Sequence, residues 1–168
     1  TSGCLLLAKH RQSLLAMQRC FLDNSLNKTY LAVAKGCWPQ NKKEVTASLK
    51  KVTLANGERR VLVDPAGQSA LTKIIDCQQK EQYSVLTIQL MTGRTHQIRV
   101  HCQSQGHELI GDTKYGDVGF NKTMKKKGFK RLMLHASRLE LPRTEFSEEI
   151  VINADTPDIF NQLIKHSR

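Results

Sequence analysis

Ser84 to Gly106 reads SVLTIQLMTGRTHQIRVHCQSQG, and a change of period within it decides the fold. Up to Met91 the chain alternates, with Leu86, Ile88 and Leu90 on one side and Val85, Thr87 and Gln89 on the other. That two-residue repeat is a strand with at least one buried face. Thr92-Gly93 ends it. Thr95 is then placed to cap a helix over His96 to Gln105 with its hydroxyl, and Gly106 is the stop. Side chains three and four apart share a helix face, so His96, Arg99 and Gln103 line up while Ile98 and Cys102 turn to the core. A strand-to-helix corner carrying Arg94 and Arg99 is built for an anion. An arginine near the first turn, where backbone N–H groups also point outward, suits a carboxylate or a phosphate.

Outward from this corner, strands dominate. Lys28 to Cys37, Glu44 to Val52, Glu58 to Val63, Ala70 to Gln78 and Gln82 to Met91 are short runs rich in Val, Ile, Thr and Leu. Trp38-Pro39, Asn56-Gly57 and Asp64-Pro65-Ala66-Gly67 punctuate them as turns. His10 to Asn24 carries Leu14, Leu15, Met17, Cys20 and Phe21 at helical spacing. A loop is expected from the end of the helix at His96 to about Arg131, then strands Leu132 to Leu141 and Glu149 to Asn153, with a last helix from Pro157 to about Lys165. The fold class is therefore α/β of the α+β type: a mixed, largely antiparallel sheet with flanking helices, in a single domain over residues 1–168.

Composition narrows the partner. A net charge of +11 over 168 residues favours a polyanion, because lysine and arginine contacts to phosphate supply most sequence-independent affinity. No run of about 18 apolar residues is present to span a membrane, and no charged-then-apolar leader opens the chain. The cysteines at 4, 20, 37, 77 and 102 include no C-x-x-C pair and, being five, cannot all pair internally, which fits a reduced cytoplasmic setting. His96, His101 and His107 lack the spacing of H-E-x-x-H or of a Cys/His zinc set, so no metal is expected.

Two further stretches bear on function. On the strand around Tyr30, Lys28, Tyr30, Ala32 and Ala34 share a face, and two alanines beside a tyrosine leave room for a flat ring such as an unstacked base. The same pattern also fits a tyrosine packed within a strand. Asn121 to Arg131, NKTMKKKGFKR, sets Lys122, Lys125, Lys126, Lys127 and Lys130 around Phe129; it reads either as a solvated loop or as one that tracks a phosphate backbone. Lys42-Lys43, Lys50-Lys51 and Arg59-Arg60 add positive charge near hairpin turns.

The words T-G-R-T-H-Q-I-R-V-H and G-D-T-K-Y-G resemble the RluA family of RNA pseudouridine synthases. Thr1-Ser2-Gly3 followed by Cys4 to Lys9 is similar to the tail of that family's H-R-L-D-x-x-T-S-G motif, Lys28 to Gly36 to its tyrosine-bearing strand, and Leu134-His135-Ala136 to its late L-H-A strand. The resemblance runs in the family's order over nearly the whole chain. K-T-Y-L-A-x-x-x-G and G-E-R-R-V-x-V are most similar to the RluC-type branch, which modifies large-subunit ribosomal RNA. The resemblance implies an isomerase that converts uridine to pseudouridine without a cofactor, with ribosomal RNA as partner. It implies that Tyr30 stacks on the target uracil and is a candidate to take the proton from C5, and that Arg99 pairs with the catalytic aspartate. Arg94, His96 and Gln97 then shape the site or touch phosphate, Lys28 stands beside the tyrosine, and Ile98 adds an apolar wall. His96 is equally readable as a helix-cap residue, and Asp112 as structural. The family's nucleophilic aspartate belongs to the H-R-L-D stretch ahead of Thr1, so the 168 residues alone are not expected to turn over. A small RNA-binding domain would precede that stretch. A non-catalytic RNA-binding or ribosome-assembly module is the alternative; a DNA-binding domain lacks any helix-turn-helix or zinc signature.

Overall fold

The computed structural model describes residues 1–145 and 147–165. Its elements are β1 (Ser2–Gly3), α1 (Arg11–Leu22), β2 (Asn27–Lys35), β3 (Glu44–Thr46), β4 (Leu49–Thr53), β5 (Arg59–Val63), β6 (Leu71–Gln79), β7 (Tyr83–Leu90), α2 (Gln97–Ser104), α3 (Val118–Lys126), β8 (Leu134–Leu141), β9 (Ile150–Asn153) and α4 (Asp158–Lys165). Strands β1-β8-β2-β7-β6-β3 form one sheet in that order, with β9 also paired to β8. Among the described residues only the β1–β8 pair is parallel, which makes the sheet mixed and largely antiparallel with helices against it.

The alternation along β2 and β7 builds two cores. Ala32 and Ala34 lie with Leu86, Ile88 and Leu90 on one face, where α2 adds Ile98 and Cys102. Val33 and Val85 face the other way and meet Met124 of α3 and Phe160 and Leu163 of α4. Burying each such Leu, Ile or Phe contributes about 1.5–3 kcal/mol, so the register that puts Tyr30 opposite Ile88 is fixed from both faces at once. A bulge in the β2–β8 ladder falls between Thr29 and Tyr30, and the Ser137 hydroxyl donates to the Thr29 carbonyl there. Bulges re-aim side chains, and this one lies beside the tyrosine.

Several expectations are corrected. The single strand expected over Glu44 to Val52 is two, β3 and β4, in different sheets: Ala47 and Leu49 still bond Ala70 and Gln68 in the register of β3 with β6, but β4 pairs with β5 as a separate hairpin. The loop expected before Arg131 contains α3, capped by Asp117, whose carboxylate accepts from the Phe120 N–H. Phe129, expected among the loop lysines, is buried in the second core. Thr95 does not cap α2; the helix starts at Gln97, and His96 precedes it with φ +54° and no side-chain cap. Gly106, at φ +74°, does stop the chain just past the helix. Helix α1 buries Ala16 and Cys20, but Leu14, Leu15 and Phe21 remain exposed beside Leu5 and Leu7. Among the described residues no helix is long and apolar enough to cross a membrane.

Candidate active site

The corner after β7 is held by one buried amide. The Gln97 side-chain oxygen accepts from the Thr92 hydroxyl (2.7 Å) and the Arg94 N–H (3.0 Å), while its nitrogen donates to the Leu71 carbonyl and the Thr72 hydroxyl, both at 3.0 Å. All the hydrogen-bonding capacity this amide shows is spent on the protein, so Gln97 shapes the corner and pins it to β6. Ile98 and Val100 bury beneath it. Arg99 then projects from the first turn of α2.

Its guanidinium already has a carboxylate. Nε and Nη2 of Arg99 donate to Asp112, each at 2.7 Å, and the Tyr115 ring lies 4.8 Å beneath the guanidinium carbon. Asp112 is fully buried and also accepts from the Lys114 and Tyr115 N–H groups, both at 2.9 Å. Burial alone would raise the Asp112 pKa, but the Arg99 guanidinium and the two backbone donors together hold it below the ordinary carboxylate value. The same bond to Asp112 raises the Arg99 pKa. This arrangement fixes the guanidinium and leaves Nη1 for a second anion. The G-D-T-K-Y-G words thus supply the residues that aim Arg99, and Asp112, expected to be structural, is the partner that fixes its guanidinium.

His96 joins the same network. The Tyr115 hydroxyl accepts from the Val61 N–H (2.9 Å) and lies 2.9 Å from His96 Nδ1. Burial, followed by the charges of Arg99 and Lys114, lowers the His96 pKa, which favours the neutral ring. A left-handed φ on a histidine costs about 1 kcal/mol or more and is tolerated where the surroundings enforce it.

Tyr30 faces this corner across a cavity of about 580 Å³, whose walls include Thr1, Tyr30, Arg94, His96, Ile98 and Arg99. Among the described residues nothing bonds the Tyr30 hydroxyl, and burial, then the nearby Cys4 thiol, push its pKa up. The phenol therefore stays protonated at neutral pH. The amino terminus reaches the cavity because β1 is anchored to β8. Ser2 Oγ lies 2.8 Å from His135 Nδ1 and accepts from Arg131 Nη2 at 2.7 Å, and a Cβ on Gly3 (φ +103°) would collide with the Ala136 carbonyl. The T-S-G and L-H-A words are thus one parallel pairing, which the sequence reading did not see.

Lys28 lies one step along β2 from the tyrosine, on the same face. It is 95% buried by its 5% exposure, and its Nζ has no hydrogen-bond partner among the described residues, lying 5.7 Å from the Phe21 ring. Burial lowers its pKa. It lines a largely apolar surface trough of about 600 Å³ that also touches Tyr30. Lys122, Lys125, Lys126, Lys127 and Lys130 are not brought to the cleft: Met124 and Phe129 pack their segment against the face of the sheet opposite Tyr30, and Lys127 bonds Gln82 at 3.2 Å. His101 is engaged with Thr72 and Ala47, and His107 with the Lys35 carbonyl, so His96, His101 and His107 serve separate contacts.

With this geometry in place, comparison with known proteins is direct. Residues 1–104 match the family model described as RNA pseudouridylate synthase. The ribosomal large subunit pseudouridine synthase C of Pasteurella multocida is 38% identical over 154 residues, 92% of this chain and 47% of that protein. The protein of the same name from Escherichia coli K12 is 37% identical over 159 residues, 92% of this chain and 49% of that one. The chain therefore spans about half the length of the curated relatives it matches. Human RNA pseudouridylate synthase domain containing 1 shares the fold, with a TM-score of 0.68 at 20% identity over 99% of this chain and 80% of that one. A tyrosine, an arginine and the T-S-G terminus meeting in one cleft, and these matches, have a common explanation: the chain belongs to the RNA pseudouridylate synthase family, on its RluC-like side.

Proposed function

We propose that this chain is the greater part of the catalytic domain of a pseudouridine synthase that acts on large-subunit ribosomal RNA in the cytoplasm. The observation that carries the reading is the convergence of Tyr30, Arg99 and Thr1 on one cavity. The relatives' names supply the substrate class, and five free thiols fit the compartment. The nucleophile of this reading is an aspartate placed ahead of Thr1, as in the family's H-R-L-D motif.

The chemistry needs no cofactor. The carboxylate attacks the bound nucleoside, the N-glycosidic bond to N1 breaks, and the uracil, which carries the departing electron pair, turns over in the cavity. C5 then bonds to the ribose carbon as the bond between that carbon and the carboxylate breaks and frees the aspartate, the C5 proton leaves, and N1 gains a proton. Tyr30 supports the ring on its flat face. Arg99, fixed by Asp112, offers Nη1 to the nucleophilic carboxylate and keeps it ionised in a site that excludes water. Arg94 contacts phosphate, Ile98 walls the base, and Lys28 supplies a second cation on the tyrosine's strand. The lysines of α3 lie off this path, where longer RNA would pass.

The test extends the chain at its amino terminus by the H-R-L-D segment and measures tritium release from ribosomal RNA labelled at uridine C5. Release that disappears when the added aspartate is changed to asparagine supports the reading. A folded, RNA-binding protein with no release overturns it in favour of a non-catalytic RNA-binding module.

A further inference from the structure

A second cavity lies against the first, and no step of the isomerisation uses it. It measures about 430 Å³ and is enclosed by the β4–β5 hairpin, the Ala66–Gly67 turn and the Gly93–Thr95 corner. Leu49 and Val61 form an apolar floor, 4% and 3% exposed, and Lys51, Gln68 and Arg94 stand at the rim. The nearby Asp64 carboxylate is paired to Lys50 at 3.2 Å, which leaves Lys51 as the hairpin lysine without a counter-ion among the described residues.

Arg94 is a wall of both cavities. Its Nε donates to the Ser69 carbonyl at 3.1 Å, so the side chain is anchored at the near end, and its terminal nitrogens have no partner among the described residues. The cavities are joined at a second place. The Val61 N–H, from the floor of the second, donates to the Tyr115 hydroxyl, which holds His96 in the first. Lys114 ties the hairpin to the same loop, bonding the Arg59 carbonyl at 2.6 Å and Glu58 at 3.1 Å. The hairpin is thereby held in fixed relation to the cleft.

Resting on the reading of the cleft given above, we propose that this second cavity binds the nucleotide adjacent to the target uridine, and that Arg94 holds the phosphodiester between the two. Adjacent nucleotides in a strand share one phosphate, as these adjacent cavities share one anchored guanidinium. An apolar floor with a basic, amide-bearing rim suits the face of a nucleobase and the charge of its backbone. The first cavity thus selects the base to be isomerised, and the second reads its neighbour.

Binding of fluorescein-labelled RNA pentamers tests this by anisotropy. The probes are AAUAA, the same pentamer with an abasic residue on the 5′ or the 3′ side of the uridine, and one with an abasic residue in place of the uridine. The chain should bind AAUAA at least about five-fold more tightly than one of the two neighbour-abasic pentamers, the loss expected for one stacked base. Ala66→Trp, a substitution at an exposed turn residue on the cavity's edge, should remove that difference and leave binding of the affected abasic pentamer unchanged. Lys51→Glu should weaken AAUAA more than the same abasic pentamer. Equal affinity for AAUAA and both neighbour-abasic pentamers overturns the second cavity, as does a preference that persists in a folded Ala66→Trp protein. Loss of the uridine with no loss of affinity instead overturns the reading of the cleft, and with it the inference.

Discussion

Arg99 and Asp112 form the contact on which the site's charge depends. Removing the carboxylate leaves a largely buried guanidinium without its partner, so Asp112→Ala is expected to destabilise the chain by about 3–5 kcal/mol in denaturant titration. The pH dependence follows from the sign of the shift. The folded-state pKa of Asp112 lies below its ordinary 3.8, so its contribution is full above about pH 4–5 and is lost as pH falls through the depressed value. Lys28 gives a slope of the same sign for the opposite reason, since here the charged form is the one that folding disfavours. Its ammonium is buried and unpaired, its folded pKa is lowered, and stability should rise as pH climbs from that lowered value toward the ordinary 10.5. Lys28→Met should raise the melting temperature, and loss of RNA affinity in the same variant would identify the ammonium as an anion site kept at a cost in stability. Tyr30 and Arg99 were legible in the sequence because their words are long and their spacing regular. Asp112 and Tyr115 were legible as a motif but not as the partners of Arg99, since a hydrogen bond from a helix to the loop beyond it, 13 positions on, leaves no periodic trace.

At the scale of elements, the corner from Thr92 to Arg99 depends on the Gln97 amide more than on a helix cap. Gln97→Ala removes four hydrogen bonds and leaves the Thr92 hydroxyl and the Arg94 N–H without their acceptor, while the Leu71 carbonyl keeps the Met91 N–H and the Thr72 hydroxyl keeps His101. At about 1–3 kcal/mol for a buried group left unsatisfied, a clear fall in melting temperature is expected, with catalytic loss in the extended protein through misplacement of Arg99. Gln97→Glu, which keeps the acceptor and loses the two donors, should fall between. The strands were readable wherever alternation met a buried face, as in β2 and β7. The break between β3 and β4 was not, because Val45 and Leu49 keep an apolar rhythm across it, and Ala47 and Leu49 go on bonding Ala70 and Gln68 in one register. Helix α3 was hidden by its lysines: its inward face shows only Phe120 and Met124, too few to outweigh NKTMKKK, although Asp117 three residues before Phe120 was a usable cap signal.

For the whole molecule, the sheet divides the surface into a face that holds Tyr30 and a face that holds the lysines of α3. Net charge of +11 pointed to nucleic acid but could not say on which side it binds, because composition carries no direction. The proposed reading takes the side from topology: β8 sits between β1 and β2, so the T-S-G terminus is bonded one strand away from the tyrosine and opens onto the cavity shared with Arg99. A short RNA carrying 4-thiouridine in place of its single uridine tests this most directly, by irradiation with the chain followed by peptide mapping of the cross-link. The cross-link is expected on the Lys28–Lys35 strand or the Arg94–Arg99 corner, and an excess of the same RNA with ordinary uridine should suppress it. Cross-linking concentrated on residues 122–130 and absent from both of those segments would contradict the account.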